Sequence, residues 1–198
     1  MAANFLKLAV TESVRRAQEH YFGVAQTPVS EPERDALTED EVSFIQARDS
    51  FYMATISESG WPYIQHRGGR PGFLRVLALQ TLAFADYRGN RQVLSTGNLA
   101  ANDRVALFLM DYAQRARLKI LGHARIADAR EHPDLVRQLA EPGVQRIVER
   151  LFFIDIVSFD WNCPKYITPR YSVEELQNLV APLQARIAEL EAKLKNQH

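Results

Sequence analysis

The sequence predicts a mainly β fold: an antiparallel sheet closed as a barrel, with helices peripheral to it. Three observations lead there. Six or seven short runs rich in β-branched and aromatic residues follow one another through the middle of the chain. Most of the connections between them are brief turns, whereas parallel strands would need long crossover segments, usually helices. The chain has 198 residues, 46% of them hydrophobic, so it can bury a substantial core.

The elements follow in order. Asn4 to His20 reads as an amphipathic helix, with Phe5, Leu8, Ala9 and Val14 roughly on one side. QTPVSEPERDA is polar and proline-bearing, hence a loop or linker. Thr38 followed by Glu41 resembles a capping box and predicts a helix over about Glu39 to Arg48. SFYMATIS is the first strand, ESGWP its turn and YIQHR the second strand. RGGRPG is too rich in glycine and proline for either element. FLRVLAL and TLAFADY are two more strands, joined near Gln80, and RVALFLMDY and RARLKILGHARIAD are a further pair. HPDLVRQL and GVQRIVER read as short helices, and RLFFIDIVSFDW as the last strand.

A long helix from about Val173 to Lys195 closes the sequence. In it Val173, Val180, Ile187 and Leu194 repeat every seven residues, with Leu176, Leu183 and Leu190 between them. This is the a/d pattern of a coiled-coil seam. Pro182 means that the helix bends there or that a new helix starts there. The stripe is read as a contact supplementing a subunit pair; packing on the protein's own barrel is the alternative.

Charge and composition narrow the function. Lys and Arg together number 24, as do Asp and Glu. That balance argues against general nucleic-acid binding, which favours a basic face, yet leaves room for one local anion site. Cys163 is the only cysteine, so no intrachain disulfide framework exists. No apolar run could span a bilayer as a helix, and MAANFLKLAV lacks the features of a signal peptide, so a cytoplasmic protein without membrane partners is expected. His20, His66, His123, His132 and His198 show no close helical pairing of the zinc-binding kind, so no metal is expected. Ser57 and Ser59 sit in a turn and suit turn hydrogen bonding better than catalysis.

The segment YRGNRQ carries the most chemistry. Arg88, Asn90, Arg91 and Gln92 cluster where a strand ends and a short helix could begin. A helix N-terminus offers free N–H groups and a favourable field to an anion, and Arg91 could add charge-assisted hydrogen bonds to a phosphate. A solvated hairpin tip is the competing reading.

Several motifs occur together in order: FIQARDSFYMATIS, GWPYIQHRGG, FADYRGNRQ, GNLAANDRVALFLMD, RLKILGHARI and DWNCPKYITPR. In this the chain resembles the FMN-binding split β-barrels related to pyridoxamine 5'-phosphate oxidase, over roughly Phe44 to Arg170. The closing DWNCPKYITPR looks like a branch other than the true oxidase. The chain thus divides into an N-terminal helix and linker over 1–37, a domain over 38–170 that the resemblance implies is an FMN-binding split barrel, and a C-terminal helix over 171–198. It implies that Gln65, His66, Arg67 and Gly68 run beside the flavin ring and ribityl chain. Asp86 and Tyr87 would end the next strand beside the cofactor. Asn90, Arg91 and Gln92 match the tip that holds the phosphate, and Arg117 a polar position from a neighbouring strand. Trp161 and Asn162 resemble residues reaching the cofactor from a second subunit, so the resemblance also implies a homodimer with a shared site.

The departures from the true oxidase bear on substrate. Gln65 stands where that enzyme usually has Arg, although Arg67 lies two residues on, on the same strand face. Arg117 stands where Gln is expected, and CPKYITPR replaces the RLAP-like C-terminal signature. The resulting expectation is an FMN-dependent oxidoreductase of unassigned small-molecule substrate, in which His66 either donates a proton or merely orients the cofactor. The rival readings are a non-catalytic flavin carrier or sensor and a split barrel using deazaflavin or haem, the last needing an axial ligand.

Overall fold

Strict alternation shows in SFYMATI: Phe51, Met53 and Thr55 are buried, while Tyr52 and Ile56 are exposed. Successive side chains of a strand point to opposite faces, so one face of this strand builds the core. The computed structural model describes residues 3–26, 34–161 and 164–195. It forms two compact units, Met1–Met110 with Arg117–Cys163, and Asp111–Ala116 with Pro164–His198.

The first unit is organised by a seven-stranded sheet. Its strands are β1 (Ser50–Ile56), β2 (Pro62–Gly68), β3 (Arg75–Ala78), β4 (Thr81–Tyr87), β5 (Arg104–Asp111), β6 (Ala116–Asp128) and β7 (Val148–Trp161). They are hydrogen-bonded in the order β2-β1-β5-β6-β7-β4-β3, and every pair of described register is antiparallel. The expected closed barrel is corrected here. The ladder has two ends, at β2 and β3, and does not close on itself. The sheet nevertheless curls: Phe51 on β1 meets Phe84 on β4 edge-on, with ring centroids 5.4 Å apart. Side chains, not backbone hydrogen bonds, span the gap between the ends. The core inside the curl gathers Phe51, Met53, Phe84, Leu107, Ile120, Phe152 and their neighbours.

Helices surround the sheet. α1 (Ala3–Ala9) and α2 (Glu12–Phe22) replace the single N-terminal helix expected. Thr11 separates them as the N-cap of α2, its side chain accepting from the Val14 amide. Most of the expected linker, 27–33, lies outside the described residues. α3 (Glu39–Gln46) starts on the expected Thr38–Glu41 capping box. α4 (Leu94–Ala101) takes up the segment STGNL. The Asn98 side chain donates to Thr55 Oγ1 at 2.9 Å, tying α4 to β1. α5 (Pro133–Leu139) is the expected HPDLVRQL helix, opened by proline in its first turn. GVQRIVER is not a helix beyond a 3₁₀ turn at Gln145–Ile147; β7 begins at Val148 because its residues pair with β4 and β6.

In the second unit, α6 (Val173–Lys195) runs unbroken through Pro182, and none of its residues is buried. Ser172 and Glu175 form a capping box at its start, with reciprocal bonds of 2.7 and 3.1 Å. No helix among the described residues is long and apolar enough to cross a membrane.

The internal glycine of RLKILGHARI has a steric reason. β6 slips register against β7 between Leu121 and Gly122, and a Cβ at Gly122 would lie 2.7 Å from the Asp155 carbonyl oxygen. Backbone cannot yield cheaply there, so Gly122→Ala should destabilise the fold by about 1–3 kcal/mol, read from the urea midpoint. An unchanged midpoint would mean that the strand relaxes freely.

Candidate functional site

β2 is half in and half out. Tyr63, Gln65 and Arg67 turn to the partly buried face, while Ile64 and His66 are exposed on the opposite one. The inward residues meet the end of β4, the loop after it and the first turn of α4. Together they line a cleft of about 220 Å³, which takes in Gln65, Arg67, Asp86, Tyr87, Asn90, Arg91 and Gln92.

Asp86 is buried and bound on two sides. Arg67 pairs with one carboxylate oxygen; the Nε and Nη2 of Arg150 each reach the other at 2.8 Å. The Arg67 guanidinium also lies 5.4 and 5.1 Å from the ring centroids of Phe84 and Phe152. Its Nε is buried without a hydrogen-bond partner. Tyr87 accepts the Glu141 amide on its hydroxyl at 3.1 Å. Gln65 accepts from the Ser95 hydroxyl at 2.9 Å, joining β2 to α4.

The tip is shaped by Asn90, whose carbonyl accepts the Gln92 amide at 3.1 Å while its amide donates to the Gln92 side chain at 3.2 Å. This local bond mimics a backbone turn. Arg91 and Val93 then adopt left-handed backbone, with φ of 61° and 47°. For a β-branched residue that conformation is strained, and such strain gathers at ligand clamps. The outcome is that the first turn of α4 faces the cleft through Leu94, Ser95 and Thr96. The first intrahelical bond runs from Gly97 to Val93, so the three preceding amides have no acceptor within the helix. Three arginines, Arg67, Arg91 and Arg150, face this cleft against one carboxylate, Asp86. Arg67 and Arg150 are engaged with Asp86, whereas Arg91 has no ion-pair partner among the described residues.

Arg150 was not anticipated. It is the cross-strand partner of Asp86 in the β4–β7 ladder, 64 residues away in sequence. The only signal for it was its position at the start of RLFFIDIVSFDW, which carries no register. Four expected residues do not line the cleft. His66 and Arg117 lie on the outer sheet face: His66 packs edge-on against Tyr52, Tyr52 pairs with Phe108, and Arg117 sits over the Phe108 ring at 5.7 Å. Gly68 ends β2, exposed, and the room a side chain at the adjacent Gly69 would need is filled by Phe73. Trp161 donates its indole N–H to Glu41 at 2.5 Å and packs edge-on against Phe44. Burial alone would raise the Glu41 carboxyl, but bonds from the Thr38 side chain, Trp161 and backbone amides outweigh it and hold it below its ordinary value. Asn162 lies outside the described residues. No cluster of three or more metal-ligating side chains occurs among the described residues.

Residues 37–151 match the family model described as pyridoxamine 5'-phosphate oxidase. The chain belongs to the pyridoxamine 5'-phosphate oxidase family. A Lactobacillus delbrueckii protein that bears the pyridoxamine 5'-phosphate oxidase name superposes with a TM-score of 0.50 at 18% identity, covering 63% of this chain and 93% of its own. The HupZ protein of Group A Streptococcus superposes with a TM-score of 0.50 at 12% identity, covering 68% of this chain and 99% of its own. At such identities the likeness speaks for the fold alone. No curated protein matches the sequence.

In this family member, Asp86 is the hinge of the cleft. Asp86→Ala leaves two partly buried guanidinium groups facing each other, and breaking a buried pair costs about 3–5 kcal/mol. We expect a loss near the lower figure, because Arg150 keeps some solvent. Urea unfolding measures it; a loss within about 0.5 kcal/mol, ordinary for a surface substitution, would show that the bridge contributes little.

Proposed function

We propose that the chain is an FMN-binding flavoprotein of oxidoreductase type that works as a homodimer. The observation that carries this reading is the meeting, in one cleft, of the unpaired Arg91 with the amides that open α4. Together they offer a terminal phosphate both charge and directed donors. Gln92, Ser95 and Thr96 would complete that cradle. Gln65, Arg67 and Tyr87, along the wall, would take the ribityl chain and the edge of the ring. The buried, unsatisfied Nε of Arg67 supports the fit, since a buried donor calls for a partner. When bound, the flavin supplies the electron-transfer chemistry, and the protein supplies binding, orientation and electrostatics.

A cleft of 220 Å³ is smaller than the roughly 300–1,000 Å³ of sites that enclose such ligands. A second subunit would supply the missing wall. The row of exposed His66, exposed Tyr52 and half-buried Phe108, with exposed Ile64 and Ile56 beside it, is an apolar face suited to pairing. Arg117 belongs to that row and has a buried Nε without a partner. On this reading His66 and Arg117 serve the partner's cofactor or the contact itself. Pyridoxamine phosphate is not proposed as the substrate, because Gln65 and CPKYITPR stand where the true oxidase has other residues.

Ligand released by heat should be FMN by mass spectrometry, after a flavin absorbance spectrum of the purified protein. FAD, or no flavin bound at saturation, would overturn the reading. Arg91→Ala should weaken FMN binding about ten-fold or more, from the loss of a charge-assisted hydrogen bond, and riboflavin binding less. Equal losses for both ligands would remove Arg91 from the phosphate. Turnover of pyridoxamine phosphate should stay well below about 1 per second, the low end of typical enzymes; a faster rate would restore it as substrate.

A further inference from the structure

Away from the first cleft, α1 and strands β5, β6 and β7 line a second, half-open cavity of about 390 Å³, and none of its lining residues belongs to the first. Its volume lies within the usual range for small-molecule sites. Leu8, Val105, Leu121 and Val157 give it apolar walls, and Gly122, at the β6 bulge, contributes bare backbone. Two polar side chains join them. Arg104 is exposed, and its guanidinium has no ion-pair or hydrogen-bond partner among the described residues. His123 has its Nδ1 held 3.0 Å from Asp103 Oδ1, which fixes the ring and leaves Nε2 for a ligand.

We propose that this cavity is a second binding site, for a small amphipathic carboxylate. The chemistry selects for both halves of such a molecule. A fully apolar ligand would leave Arg104 unused, and a small hydrophilic anion would leave the partly exposed Leu8, Leu121 and Val157 against water. A single guanidinium matches a single carboxylate, with two parallel donors available to two oxygens. The Asp103 carboxylate does not compete for Arg104, because it is engaged by His123. α1 forms one wall, and its anchor to β7 passes through Asn4, which donates to the Val157 carbonyl at 3.5 Å. Occupancy therefore bears on the docking of the N-terminal helix.

The probe is sodium decanoate, with 1-decanol as the uncharged control, titrated into the full chain and followed by amide NMR and calorimetry. Decanoate should bind saturably and shift the amides of Val105, Leu121 and His123. Arg104→Gln, an exposed substitution that leaves folding intact, should weaken decanoate about ten-fold or more and leave decanol unchanged. Leu121→Trp should fill the cavity and weaken both. The proposal is overturned by unsaturable binding, by shifts confined to other surfaces, or by a decanoate affinity that is the same in Arg104→Gln and the wild type.

Discussion

The carboxylate of Asp86, held between Arg67 and Arg150, is the contact on which the rest of the cleft depends. An open sheet with ends at β2 and β3 has no backbone reason to keep β2 over β4. Arg67 reaches across from β2, and Asp86 meets it from β4. Both members are nearly desolvated, which is costly, and the pair is tolerated because a third charge from β7 completes its bonding. A lone buried charge would be far more costly than this bonded set. Phe84 and Phe152 under the Arg67 guanidinium add a favourable aromatic face. The bridge thus holds the curl of the sheet, and the same stroke aims two cations along the wall of the cleft.

A protein of balanced charge builds a cationic site by local arrangement. Asp86 offsets only part of the charge of Arg67 and Arg150, and Arg91 adds a further cation at the rim. The helix that follows contributes partial positive charge through its unsatisfied amides. Holding that helix in place requires the left-handed Val93, at a cost on the order of 1–3 kcal/mol. Bonds from Ser95 to Gln65 and from Asn98 to Thr55 oppose that cost by fastening α4 to β2 and β1. Strain at the rim and anchoring at the wall are therefore two halves of one device.

The outer face of the sheet has a different character. Tyr52, Ile56 and Ile64 are exposed there, although β1 carries the fully buried Phe51 and Met53 on its inner face. Apolar side chains scattered on a surface need no explanation, but a contiguous row does. Trp161 illustrates the opposite fate of an aromatic residue. Its ring and its N–H are both taken up by α3, where Glu41 also serves the Thr38 cap. An aromatic residue that looks free in sequence can be spent on fastening a helix.

Much of this was legible in the residues themselves. Richness in β-branched and aromatic residues between turn signals is a local property, so six or seven strands, including the half-buried β2, could be read from runs such as SFYMATI and YIQHR. The Thr38–Glu41 cap and the span of α6 were equally local, since both depend on residues within a few turns. The cluster Asn90, Arg91 and Gln92 could be suspected of gripping an anion because its members are adjacent. Tertiary structure alone decided what faces what. Arg150 joined the site through a register between β4 and β7 that no local pattern encodes. Two residues of one strand, His66 and Arg67, went to opposite faces, and only the position of the core said which was inside. The open ladder, too, was a tertiary outcome: whether β2 and β3 meet depends on the summed twist of seven strands, and in this chain β2 is tied instead by a side-chain ion pair to β4.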